Sequence, residues 1–176
     1  MANSIVLAVS SLFVLSILFS NGDAASPNDV VSTICPKTRN PSFCSNVLKS
    51  AGTSDLKGLA TFTLNLAHDK VTESRALAQS LASKAADPKL KEHYDTCAGR
   101  FDDAVDDIEG AKSNLGNGDY NGVNTYASAA MTEADDCLDS LTKPPKDSSA
   151  LSGDGKIVED ICSIILVVSN LLIGGA

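Results

Sequence analysis

The longest uninterrupted helical pattern in the chain runs from residue 59 to residue 87, where neither proline nor glycine occurs. Ser54 and Asp55 precede it as N-cap candidates, and Asp87-Pro88 ends it. The apolar positions recur with helical spacing at Leu59, Phe62, Leu66, Leu77 and Leu81. The pattern therefore predicts one long helix.

Two more helical patterns follow, separated by a glycine-rich turn at residues 114–119. The first begins after Pro88, which suits a first helical turn. Its apolar positions are Leu90, Tyr94, Cys97, Phe101, Val105, Ile108, Ala111 and Leu115. The second starts with Asp119 as a capping residue and steps strictly by three and four through Tyr120, Val123, Ala127, Ala130, Ala134, Cys137 and Leu141. The glycines of the turn favour an antiparallel pair of helices.

A proline- and serine-rich linker at residues 143–149, which we expect Gly153 and Gly155 to prolong, precedes a last apolar pattern. Its positions are Ile157, Ile161, Ile164, Ile165, Val168, Leu171 and Leu172. Small residues at 152–154 before an apolar tail also fit a lipid-anchor signal. The polar Asn170, and the apolar groove that loss of this segment would expose, favour a helix of the fold. The predicted fold class is all-α, an antiparallel four-helix bundle with an N-terminal helical hairpin and two disulfides.

The N-terminus has the pattern of an export signal. An apolar run from Ile5 to Phe19 is followed by Gly22 and Ala24, small residues at the spacing of a cleavage site. We therefore predict a signal peptide at residues 1–25, the hairpin at 26–50 and the bundle at 51–176. Export to an oxidising compartment allows the five cysteines to form disulfides.

The cysteine spacing tests the predicted hairpin. Cys97 and Cys137 are each twenty residues from Asn117 at the turn. Both lie on the apolar face of their helix, roughly 30 Å from the turn. A disulfide between them is therefore expected.

The other cysteines complete the assignment. Cys35 and Cys44 bound a short loop with two prolines, and we pair them as the staple of an N-terminal hairpin that has few apolar residues. Cys162 remains as a free thiol, expected to be a small apolar filler within the last helix.

Charge and residue types exclude several functions. The formal net charge of -8 argues against nucleic acid as a partner, since a phosphate backbone requires a cationic surface. His68 and His93 have no metal-ligand spacing and are expected at a helix surface or end. The aspartate pairs at 102–103 and 106–107 have the spacing of one solvated helix side. We therefore predict no catalytic residues, no metal, no cofactor and no membrane partner.

Three segments carry a resemblance to a known family. These are Ile34-Cys35-Pro36-Lys37-Thr38-Arg39-Asn40-Pro41 through Cys44, then Tyr94-Asp95-Thr96-Cys97, then Tyr126-Ala127-Ser128-Ala129-Ala130 through Cys137. The chain resembles the plant invertase and pectin methylesterase inhibitor family over the whole mature part. The resemblance implies a four-helix bundle with an N-terminal hairpin and two disulfides.

Within that family two targets compete. Residues 87–91, 119–121 and 164–172 are similar to inhibitors of pectin methylesterase, the enzyme that removes methyl esters from cell-wall homogalacturonan. Invertase inhibitors tend to have Pro-Lys-Phe where this chain has Pro88-Lys89-Leu90. An inhibitor of plant acid invertase is therefore the alternative, and a hydrolase or a structural wall protein is a more distant one.

The resemblance implies a protein partner, plant pectin methylesterase, bound 1:1 without covalent chemistry in the apoplast or cell wall. We expect the long helices before the last one to lie across the substrate cleft. The cleft binds a polyanion, so an acidic helix surface can complement it. The expected partner-binding residues are Asp103, Asp106, Asp119, Asp136 and Asp139. The sign of any pH dependence stays open, because it depends on whether these carboxylates face cations or acids.

Overall fold

The computed structural model describes residues 27–175, and every long regular element in that range is a helix. The six α-helices are α1 (Pro27–Ile34), α2 (Pro41–Ser50), α3 (Leu56–Lys84), α4 (Pro88–Asn117), α5 (Tyr120–Thr142) and α6 (Leu151–Gly174). A single 3-10 turn, Cys35–Lys37, joins α1 to α2. The predicted signal peptide lies outside the described residues.

The four long helices form an antiparallel bundle. In cross-section they form a ring in which α3 packs against α4 and α6, and α5 packs against the same two helices. The short connections from α3 to α4 and from α4 to α5 require successive helices to run in opposite directions. The predicted all-α fold class is confirmed.

Local capping sets the helix starts. Asp55 accepts a hydrogen bond from the backbone N–H of Gly58 at 2.7 Å, and Asp87 accepts from Lys89 at 2.8 Å. At the α4–α5 turn Gly118 has φ +75°, a left-handed conformation that glycine adopts without a Cβ penalty. Asp119 then accepts from the N–H of Gly122 at 2.9 Å. The predicted caps Asp55 and Asp119 are therefore present, and α3 ends at Lys84, three residues before Asp87.

The core confirms the predicted faces of α4 and α5 and corrects that of α3. Of the five apolar positions predicted for α3, Leu59 is fully buried, whereas Phe62, Leu66, Leu77 and Leu81 are half-buried. The fully buried row consists mostly of small residues: Ala60, Thr63, Leu64, Ala67, Val71, Ser74, Ala78 and Ala82. Small side chains let neighbouring helices approach α3 closely, and the larger leucines cover the edges of that contact.

The start of α6 is a second correction. Gly153 and Gly155 belong to the helix rather than to the linker. Gly155 is buried, and a Cβ added there would lie 2.9 Å from Cδ2 of Leu138 on α5. Glycine at this position therefore permits the close approach of α5 and α6, which sequence spacing alone did not reveal.

Helix α6 is long and apolar enough to cross a membrane by length and composition, and half of its most apolar stretch is buried in the protein. It packs against both α3 and α5. Ile161, Ile164 and Ile165 are almost fully buried within the bundle. The segment is therefore a core helix in this fold.

The disulfides join the pairs expected from spacing. Cys35 is bonded to Cys44, and Cys97 is bonded to Cys137, with 9 and 40 residues of sequence separation. Cys162 is a buried free thiol. The first bond staples the hairpin and the second ties α4 to α5.

A polar contact attaches the hairpin to the bundle. Arg39 donates to Glu159 on α6 at 2.6 Å, and its backbone N–H donates to Ser163 at 3.0 Å. The Glu159 side chain is only 5% exposed. Its ion pair with Arg39 offsets the cost of burying a carboxylate.

Candidate functional site

An acidic surface runs along the outer junction of α4 and α5. We name it the α4/α5 seam. Its members are related by ion pairs, by charge or by contact of a ring with a glycine, and they are Arg100, Asp103, Asp106, Asp107 and Gly110 from α4 and Tyr126, Glu133 and Asp136 from α5. Because the two helices are antiparallel, Gly110 lies beside Tyr126 near the turn, and Arg100 lies beside Glu133 and Asp136 farther from it. The seam thus brings three predicted residues, Asp103, Asp106 and Asp136, onto one surface.

Arg100 is the cation of the seam. Its guanidinium is 3.0 Å from Glu133 and 3.5 Å from Asp136, both on α5. The hydrogen bond to Glu133 is the main cause that raises the pKa of Arg100. Helix α5 itself contains no Lys or Arg, so negative charge dominates this side of the bundle.

Asp107 is the most enclosed of the four neighbouring aspartates in α4, which span residues 102–107. It is half-buried, whereas Asp103 and Asp106 are exposed. Burial raises its pKa, and the carboxylates of Glu133, Asp103 and Asp106 raise it further. The aspartates therefore do not all lie on one solvated helix side as expected. Asp107 is influenced by the charge of Glu133 on the neighbouring helix.

Tyr126 lies at the end of the seam nearest the turn. Among the described residues it is the exposed large hydrophobic side chain, at 40% exposure. A Cβ added to Gly110 would be 2.8 Å from both Cδ1 and Cε1 of its ring and 3.1 Å from Cζ. The ring therefore crosses from α5 onto the bare backbone of α4.

The other two predicted contact residues lie away from the centre of the seam. Asp119 is at the α4–α5 turn, where its carboxylate caps α5. Asp139 is exposed on α5, three residues after Asp136 and therefore farther from the α4–α5 turn.

Sequence reasoning missed five members of the seam: Arg100, Asp107, Gly110, Tyr126 and Glu133. For Tyr126 a signal was available, because it falls between the buried positions Val123 and Ala127 and off the regular apolar spacing of α5. That position predicts an exposed ring, although a single exposed apolar residue is ordinary on a protein surface. The pairing of Gly110 with Tyr126 requires knowledge of how α4 and α5 align.

The histidines divide between two environments. His93 is buried, contrary to the expectation of a helix surface or end, because it precedes Cys97 by four residues and shares its buried face. His68 is half-buried, with Nε2 3.6 Å from Glu109 of α4. Within residues 27–175 no three His, Cys, Asp or Glu side chains are grouped to hold a metal ion.

The seam is a surface rather than a cavity. The groove between α2, α3 and α6, with a volume of about 450 Å³, lies on the other side of the bundle and is lined largely by apolar side chains such as Phe43, Phe62 and Ile161. An exposed acidic surface formed by two helices suits electrostatic contact with another macromolecule.

Comparison with known proteins shows what this fold and chain are similar to. Residues 29–168 match the model of the family described as plant invertase/pectin methylesterase inhibitor. The chain is 43% identical to a pectinesterase inhibitor of Actinidia deliciosa, with 94% of this chain and 95% of that protein covered. It is 34% identical to pectinesterase inhibitor 1 of Arabidopsis thaliana, with 93% of each covered.

Solved structures agree with the sequence comparison. The crystal structure of mutant form A of a pectin methylesterase inhibitor from Arabidopsis superposes with a TM-score of 0.77 at 34% identity. The match covers 80% of this chain and 95% of that one. The sequence match and the fold agree, and the chain belongs to the plant invertase/pectin methylesterase inhibitor family.

Proposed function

We propose that this protein inhibits plant pectin methylesterase by covering the enzyme's substrate cleft with the α4/α5 seam, as a 1:1 non-covalent complex. The observation that carries the proposal is the assembly of carboxylates from two helices into one exposed surface. The similar proteins named pectinesterase inhibitor support the choice of target. None of these observations favours the alternative, an inhibitor of acid invertase.

The chemistry of the target suits such a surface. A cleft that binds demethylated pectin must accommodate a polyanion and is expected to contain positive charge. In this proposal the carboxylates of Asp103, Asp106 and Asp136 complement that positive charge, and no covalent bond forms. Asp119 and Asp139 extend the surface toward the turn and toward the far end of α5. Complementary charge also raises the association rate, and this rate should fall as the salt concentration rises.

Regulation of cell-wall pectin requires the inhibitor to reach the wall. The signal-peptide pattern of residues 1–25 supports secretion to the apoplast. There the inhibitor would limit de-methylesterification of homogalacturonan by occupying the enzyme.

The first experiment measures inhibition of a plant pectin methylesterase and of a plant acid invertase by the refolded protein, side by side at pH 5 and pH 7. Loss of methylesterase activity alone is expected. Loss of invertase activity alone would replace the proposal with the alternative, and loss of neither would refute both. Methanol release from pectin by the inhibitor alone would show an enzyme instead.

A matched pair of variants tests the seam. Asp103→Asn/Asp106→Asn removes two charges from it, whereas Asp29→Asn/Glu73→Gln removes two from exposed positions on α1 and α3, where Glu73 lies 3.8 Å from Lys70 near α6. We expect the first variant to weaken inhibition and the second to leave it near wild type. Equal effects would show that only total charge matters.

The two pH values decide what the carboxylates face. Weaker binding at pH 5 means that they face cationic groups, and stronger binding at pH 5 means that they face acids. Equal affinity at both means that no carboxylate of the contact changes its protonation between these pH values, and the matched charge variants then decide whether the carboxylates contribute.

A further inference from the structure

Tyr126 has an environment that its acidic neighbours do not share. It is 40% exposed, yet three consecutive ring carbons lie within 3.1 Å of the point where a Cβ on Gly110 of the neighbouring helix would be. A side chain at position 110 would occupy the space that the ring now fills. The ring is therefore exposed and positioned at the same time.

Such a side chain has the properties of a binding anchor. Tyrosine is enriched among residues that dominate interface energies. It offers a large contact area with only two side-chain torsions to restrict. Contact with Gly110 already limits those torsions in the free protein, so binding requires less further ordering.

The charged residues near the Tyr126 ring favour a cationic group as its partner. Asp106 and Asp107 lie four and three residues before Gly110, about one helical turn away. The face of an aromatic ring attracts cations, and the neighbouring carboxylates do the same.

The seam's own cation does not occupy this place. Arg100 is ten residues from Gly110, roughly 15 Å along α4, and it is engaged by Glu133 and Asp136. The ring is thus available to a cationic group supplied from outside.

We propose that Tyr126, held in place over Gly110, is the aromatic anchor of the inhibitory surface and receives a lysine or arginine side chain of the pectin methylesterase cleft. This rests on the proposed function and assigns to Tyr126 a role separate from the carboxylates. It also gives Gly110 a positioning role.

Three substitutions of the full protein separate the contributions of the ring. In inhibition assays against pectin methylesterase, Tyr126→Ala is expected to raise the inhibition constant at least about tenfold. Tyr126→Phe keeps the ring face and should remain near wild type. Tyr126→Leu keeps apolar area without a ring and should be clearly weaker than Tyr126→Phe.

Each result supports or overturns a specific step. An unchanged inhibition constant for Tyr126→Ala, with the wild type inhibiting fully, would overturn the anchor and leave the proposed function standing. Equal inhibition by Tyr126→Leu and Tyr126→Phe would overturn the cationic partner. A wild-type protein that does not inhibit would refute the proposed function itself, together with this inference.

Gly110→Ala tests positioning with Tyr126 still present. The new Cβ would lie 2.8 Å from the ring and must displace it, so inhibition should weaken several-fold. Gly116→Ala is the control in the same helix, because no atom beyond its chain neighbours and the local helix backbone lies within 4 Å of a Cβ at that position. Both variants should stay helical, since alanine favours helices over glycine. Equal inhibition by the two variants would overturn the positioning role of Gly110.

Discussion

The phenol of Tyr94 on α4 donates a hydrogen bond of 2.8 Å to the carboxylate of Asp147 in the linker before α6. The same carboxylate accepts from the backbone N–H of Ser149 at 2.9 Å and from the hydroxyl of Ser152 at 3.1 Å. Asp147 therefore connects the start of α6 to the far side of the bundle. This contact holds the linker on the surface of α4.

Asp147→Asn is expected to destabilise the protein in a pH-dependent way. Burial acts to raise the pKa of Asp147, but the hydrogen bonds from Ser149, Tyr94 and Ser152 outweigh it and lower the pKa. A lowered pKa stabilises the fold above the unfolded-state value of about 4, and this contribution is lost as pH falls through the folded-state pKa. We expect a loss of about 1–2 kcal/mol at pH 7 that shrinks toward pH 3.

Urea denaturation of both proteins at pH 7, 5 and 3 measures this difference. Asp135→Asn, an exposed position on α5, controls for the removal of one negative charge. A difference between Asp147→Asn and wild type that stays constant across the pH range would contradict a role for the charge.

Asp107→Asn is expected to stabilise the protein at pH 7, whereas Asp147→Asn destabilises it. Burial and the neighbouring carboxylates raise the pKa of Asp107, so its ionised form is less favourable in the folded than in the unfolded protein. Asp107 therefore costs stability above its folded-state pKa, and protonation removes that cost as pH falls. The free energy of unfolding of the variant should exceed that of wild type by up to about 1 kcal/mol at pH 7. The gain is small because the site is partly solvated.

The same denaturation series tests this, with Asp135→Asn again as the charge control. The gain should shrink toward zero by pH 3, because the Asp107 carboxyl becomes protonated in both the folded and the unfolded protein. A variant less stable than wild type at pH 7 would show that Asp107 contributes a favourable contact.

The two disulfides should differ in what their removal costs. Cys97–Cys137 closes a loop with 40 residues of separation, whereas Cys35–Cys44 closes one with only 9. In the chain-entropy model the longer loop stabilises by about 4 kcal/mol and the shorter by about 3 kcal/mol. Thermal or urea unfolding of the two double Cys→Ala variants gives the comparison. A greater loss from the hairpin variant would mean that hairpin docking contributes more than loop entropy.

Cys162 should be unreactive in the folded protein. Burial, followed by the charges of Glu159 and Asp107, raises the pKa of its thiol to about 12. At pH 8 the reactive thiolate is therefore scarce, and the side chain is inaccessible. Thiol titration should find one group per chain in denaturant and almost none in the native protein. Rapid labelling without denaturant would place the thiol on an accessible surface, at odds with the structure.

The strictly periodic parts of the sequence predicted their structure best. In α5 the buried positions Val123, Ala127, Ala130 and Ala134 occur where the spacing places them. A regular step of three and four leaves one helix face for the core. The helix caps followed from single residues, because a capping side chain interacts within its own turn.

The row of α3 that faces the core was predicted less well, since leucines mark a helix as amphipathic without showing which row of side chains lies deepest. Ala60, Ala67 and Ala78 are fully buried there because α3 touches two helices, and a close approach favours small side chains. Gly155 was misread for the same reason. Its small size serves contact with Leu138 of another helix rather than a turn.

The sequence by itself determined the helical class, the cysteine pairs and the acidic character of the protein, because periodicity, equal spacing from a turn and net charge are properties of the chain alone. Only the tertiary structure decided which residues of different helices lie together. Three relationships depend on the alignment of α4 with α5: the ion pair of Arg100 with Glu133, the effect of the Glu133 charge on Asp107, and the position of Tyr126 over Gly110. That alignment results from the packing of two helices, and no local sequence pattern records it.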